Sequence, residues 1–110
     1  MAAMTHVVLR DDRQARDTRY LEAQLTQSGD LIIKGQDIGD AVERLLGGRE
    51  YEWAWTIKAA HLPQLLKALN ADSDVLAALA RRFSGDAAAG IATFLEENEI
   101  PHERWSRVGD

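Results

Sequence analysis

The chain has 110 residues, a net charge of −5 and no cysteine. That length suits one domain spanning residues 1–110, and without thiols there is no disulfide framework, thiol nucleophile or Cys-ligated metal. The acidity argues against nucleic-acid binding, which needs a basic footprint. No run approaches the roughly 18–20 apolar residues of a membrane span. The first residues, Met1 to His6, lack the basic-then-apolar order of a signal peptide, so a cytoplasmic protein is expected.

Thr5 to Arg10 is a short apolar run suited to an N-terminal strand, and Asp11 to Asp17 reads as a mixed-charge link with little to bury. From Arg19 the residues alternate, Leu21, Ala23 and Leu25 against Tyr20, Glu22, Gln24 and Thr26, as a half-buried strand does. Gln27 to Asp30 supplies turn residues, and Leu31 to Lys34 returns as the second strand of a hairpin. Gly35 to Asp40 is expected to leave the sheet as a polar loop. Asp40 and Glu43 then have the spacing of a capping box, ahead of a short helix from Ala41 to Leu46 that Gly47-Gly48 stops.

Glu50 to Lys58 alternates most clearly, with Tyr51, Trp53, Trp55 and Ile57 on one side and Glu50, Glu52, Ala54, Thr56 and Lys58 on the other. One buried aromatic side chain covers about 150–250 Å², so this strand reads as the floor of the core. After Lys58 the period lengthens to that of a helix: Leu62, Leu65, Leu66 and Leu69 form one stripe, with Pro63 placed in its first turn. Val75, Leu76, Leu79 and Phe83 form a second stripe, and Ile91, Phe94 and Leu95 a third, within a helix expected from about Asp86 to Asn98. The tail from His102 to Val108 alternates weakly, as an edge strand or as a segment that merely docks Trp105. The expected fold is α+β: an antiparallel β-meander of three to four strands, a short helix in the sheet loop, and three C-terminal helices packed on one face.

The candidate chemistry is sparse. Asp37, Asp40 and Glu43 crowd one loop, but the alternating acidic pattern and closing Glu of a calcium loop are missing, and capping accounts for two of the three. No metal or cofactor is expected. His61, at the strand-to-helix junction, and His102, beside Glu103, are far apart in sequence; a cleft joining them to Glu50 or Glu52 would support general acid–base catalysis. Tyr20, Glu22 and Gln24 on the hairpin, with Glu50 and Glu52 on the aromatic strand, would instead form one polar sheet face. Such a face is either solvated or a docking surface for a basic protein.

The words Gly29-Asp30-Leu31, Gly35-Gln36-Asp37-Ile38-Gly39, Tyr51-Glu52-Trp53 and Trp105-Ser106-Arg107-Val108-Gly109-Asp110 resemble those of a group of small bacterial proteins of unknown function. That resemblance spans most of the chain and implies no activity, cofactor or catalytic residue. In size and charge the chain is also similar to small acidic immunity proteins, which neutralise a toxin by binding it.

The leading expectation is therefore a non-enzymatic, acidic protein-binding domain, an inhibitor or immunity-type protein for a basic partner, with no nucleic acid and no membrane involved. Two alternatives stand beside it. One is a small hydrolase or isomerase using His61 with a carboxylate. The other is a regulatory domain holding a small ligand between the aromatic strand and the helices.

Overall fold

The computed structural model describes residues 5–109; residues 1–4, with the leader reading, and Asp110 lie outside them. Five strands, β1 (His6–Gln14), β2 (Asp17–Leu25), β3 (Leu31–Gly39), β4 (Glu50–Ile57) and β5 (Glu103–Gly109), form one antiparallel sheet in chain order. Helix α1 (Asp40–Leu46) lies in the β3–β4 connection, while α2 (Leu62–Ala68), α3 (Val75–Phe83) and α4 (Ile91–Glu97) follow β4. This is the expected α+β meander with one more strand. The third C-terminal helix is shorter than expected, because Gly85–Gly90 winds as a 3-10 segment before α4.

The differences have local causes. The supposed link after Arg10 is the second half of β1. In a strand, residues two apart share a face, so Arg10 reaches Asp12 at 2.8 Å on one side and Arg13 reaches Asp11 at 3.2 Å on the other. The mixed charge is thus self-satisfying on an extended backbone. The supposed loop after Lys34 is likewise the second half of β3: Gln36 bonds across to Glu50 at 2.9 Å, and Gly35 pairs with Trp53 in the ladder.

The capping box does not form. Gly39 is the N-cap of α1 without a side-chain cap, and it is Asp17, at the start of β2, that accepts from the Ala41 N–H at 3.1 Å. Asp40 turns to Arg49 at 2.9 Å and Arg16 at 3.5 Å, and that Arg49 hydrogen bond, ahead of Arg16, holds its carboxyl below the usual range. Gly39 sits at φ 140°, where a Cβ would overlap the Arg16 carbonyl and the Asp17 carboxylate.

Register places Leu21, Gly35 and Trp53 in one row of the inner face, Ala23, Ile33 and Trp55 in the next, and Leu25, Leu31 and Ile57 in the third. Leu31, Ile33 and Ile57 are fully buried beneath Leu65, Leu76, Leu79, Ile91 and Leu95, each such side chain contributing about 1.5–3 kcal/mol relative to exposure. Tyr51, Trp53 and Trp55 are only half-buried, so the aromatic strand is the margin of the core and not its floor. The reason is where the helices sit. α3 and the 3-10 segment pack chiefly on β1, leaving the β4–β5 side thinly covered. No helix among the described residues is long and apolar enough to cross a membrane.

Candidate functional site

The outer face of the sheet carries side chains from all five strands. One row runs Tyr20, Gln36, Glu52, Arg107; its neighbour runs Glu22, Lys34, Ala54, Trp105. Between them Tyr20, Glu22, Lys34, Gln36, Glu52, Ala54 and Trp105 line a shallow concavity of about 350 Å³. Trp105 is 53% exposed there. Register sets Gln24 opposite His6 and Ile32, one row beyond Glu22, and Glu50 beside Glu52.

The carboxylates of this face are not bare. Arg107 lies 3.2 Å from Glu52 and 3.8 Å from Glu50, Gln36 donates to both, and His6 Nε2 lies 2.7 Å from Glu22. Glu50 is held below the usual carboxylate range by hydrogen bonding with Glu52 first, then by Gln36 and Arg107. The Tyr20 hydroxyl donates to Glu22 at 3.4 Å, and burial together with that carboxylate raises its pKa. The sequence reads the second half of β3 as a loop and the tail as an edge strand or a docked Trp105, so Gln36 and Arg107 are not among the expected site residues and Trp105 is not joined to them. The signal is weak: Ile38 shares a face with Lys34 and Gln36, and Trp105 shares one with Glu103 and Arg107, so neither stretch separates apolar from polar residues at period two.

His61 and His102 do not meet Glu50 or Glu52. Residues 57 and 103 lie together at one end of the sheet, since Glu103 pairs with Thr56. At about 3.3 Å per residue, Glu52 is then roughly 13 Å and Glu50 roughly 20 Å further along the strand from that end. His102 is also engaged through both ring nitrogens: Nδ1 meets the Ile100 carbonyl at 2.7 Å, and Nε2 accepts from Arg104 at 3.1 Å. His61 is the half-buried residue preceding α2. Among the described residues, no three of His, Asp and Glu come together as a metal-holding group.

A second concavity opens on the inner face between the sheet and α1, with Tyr51 of the aromatic strand on its wall. Arg10, Arg19, Asp37, Ile38, Val42, Leu45, Leu46 and Tyr51 are among the residues lining about 350 Å³. A smaller hollow of about 210 Å³ shares Arg10, Arg19 and Asp37 and reaches Trp53 and Trp55 beside Ala88 and Ala89. Burial pushes the Asp37 carboxyl up, and Arg19 and Arg10 only partly offset it. The Trp53 Nε1 is buried with no hydrogen-bond partner among the described residues. Asp37 was placed in a loop by the sequence reading, which hid its alignment between Arg19 and Tyr51 across the sheet.

Fold and surfaces together define a small α+β domain with a polar outer sheet face and an inner trough. No known protein family matches the chain, and neither a curated protein nor a solved structure matches it.

Proposed function

We propose that the chain is a non-enzymatic protein-binding domain, of the inhibitor or immunity type, that docks a basic partner on its outer sheet face. The observation that carries this reading is the concavity between two aromatic side chains, Tyr20 and Trp105, whose polar lining is Glu22, Glu52, Gln36 and a single cation, Lys34. Aromatic anchors within a polar rim are the usual anatomy of an interface. The scale is suitable too. Five strands about 4.8 Å apart and about seven residues long span on the order of 550 Å² in projection, close to the roughly 800 Å² of accessible surface that a standard interface takes from each partner. Affinity capture from the native lysate, followed by hydrogen-exchange footprinting of the recovered complex, tests it. Protection should concentrate in β2, β3 and β5; protection confined to the helices would overturn it.

A small-ligand-binding regulatory domain is the second reading, favoured by the half-buried Asp37 aligned between Arg19 and Tyr51 in the inner trough. A thermal-shift screen of small organic acids and amines is the check. A stabilising compound whose effect is lost in Asp37→Asn but kept in Tyr20→Ala would assign binding to the trough. No such compound would leave the trough a packing defect.

A further inference from the structure

We propose that β5 is a dimerisation edge, at which a second copy of this chain adds its own β5 antiparallel across a two-fold axis through Trp105. The interface lies beyond the outer-face docking reading and does not depend on it.

The two edges of the sheet are unlike. β1 is kinked by an irregularity between Val8 and Arg10, which breaks its register. β5 is paired to β4 without interruption from Glu103 to Arg107 and on to Gly109. Its residues from Glu103 to Val108 are all exposed, and it includes two of the exposed large apolar side chains, Trp105 at 53% and Val108 at 46%. A regular edge of this kind presents unpaired N–H and C=O groups to any strand that fits.

What fits best is itself. Charges on an edge normally repel a second copy, as a row of lysines would. Here they are arranged as a palindrome about Trp105, with Glu103 two residues before it and Arg107 two residues after, all three on the outer face. Antiparallel pairing centred on Trp105 sets Glu103 opposite the partner copy's Arg107, Trp105 opposite Trp105, and Arg107 opposite Glu103. Directly opposed residues have Cβ atoms about 4.5–5.5 Å apart, within reach of an ion pair and of aromatic contact. On the inner face Arg104 meets Ser106, so no like charges are opposed. Within its own chain Arg107 already lies 3.2 Å from Glu52. The dimer would continue that row to a second carboxylate, which the five donors of a guanidinium accommodate. The result is one ten-stranded sheet with both outer faces on the same side.

Sedimentation equilibrium across a concentration series reads the assembly directly. The wild type should show a concentration-dependent species of twice the 12.2 kDa chain. Glu103→Arg or Arg107→Glu alone should weaken dimerisation about tenfold or more, and the double variant should restore it, because two opposed pairs are lost and then re-formed with signs exchanged. Glu103 makes none of the ion pairs described above, so its variant leaves the chain's internal charge network intact should Arg107→Glu unfold. Register is read with single cysteines, which the native sequence lacks. Trp105→Cys should cross-link to itself on mild oxidation, and Glu103→Cys should cross-link only when mixed with Arg107→Cys. A chain that stays monomeric to its solubility limit overturns the proposal. So does a dimer that ignores both charge reversals and does not cross-link at residue 105.

Discussion

Trp53 leans across β3 so that its indole rests on Gly35, where a Cβ would fall inside the envelope of Trp53 Cε2, Cζ2 and Cη2. The ring cannot simply slide away along its own strand. Tyr51 stacks against it with centroids 5.4 Å apart, and Trp55 lies on the other side at 6.3 Å. Gly35→Ala should therefore behave as overpacking and cost about 1–3 kcal/mol in a denaturant melt. In a Trp53→Ala background the same methyl should be nearly free. Equal losses in both backgrounds would mean that backbone conformation, and not the indole, sets the preference for glycine.

The same contact shows what the sequence disclosed and what it hid. The alternation of Tyr51, Trp53, Trp55 and Ile57 revealed the strand and its facing, because side-chain period is a local property of the backbone. It did not reveal that the helical layer would sit over β1 and leave three aromatics half-buried, which is decided by packing between distant elements. Similarly, Tyr20, Glu22 and Glu52 were legible as one polar face from their alternation alone. Trp105 and Arg107 were not joined to it, since a short charged tail becomes a strand only by pairing with β4. Asp37 was obscured most of all. Gly35 and Gly39 on either side of it resemble loop punctuation, yet here the first admits an indole and the second turns the chain into α1.

At the start of α1, the capping role belongs to Asp17 and not to Asp40. Asp17→Ala should lose about 0.5–2 kcal/mol, as removal of an N-cap acceptor does. Asp40→Ala should lose less, because its partners Arg16 and Arg49 are surface side chains that water can satisfy. Thermal melts of the two variants side by side decide the assignment. A larger loss for Asp40→Ala would restore the capping box.

Asp37 should make stability fall as pH rises. Its native pKa is raised by burial, so between the unfolded value and the raised native one the folded state holds the additional proton. Stability then declines with increasing pH through that window and remains lower above it. Asp37→Asn cannot ionise, so it should be more stable than the wild type at neutral pH and lose that advantage in acid. The opposite tendency comes from Asp40 and Glu50, whose lowered values favour the folded state above the usual carboxylate range and cease to do so as pH falls. Comparing variant with wild type at each pH isolates Asp37 from them. An Asp37→Asn chain that is less stable at neutral pH would show that its pairing with Arg19 outweighs its burial.

On the outer face, charge and aromatic contact should affect different steps of partner binding. Rim charges act mainly on encounter, so Glu22→Gln with Glu52→Gln should slow association more than it hastens dissociation. Arg107→Gln should do the reverse and speed association, because its guanidinium lies 3.2 Å from Glu52 and mutes the field that a basic partner meets. Added salt should compress both effects as the Debye length shrinks from about 10 Å at 0.1 M to about 3 Å at 1 M. Tyr20→Ala and Trp105→Ala should chiefly raise the off-rate, as loss of an anchoring aromatic does. Surface plasmon resonance against the captured partner, with the chain immobilised at low density so that copies do not meet, separates the two steps. Association rates indifferent to salt and to all three charges would reduce the outer face to a solvated surface and move the search to the Asp37 trough.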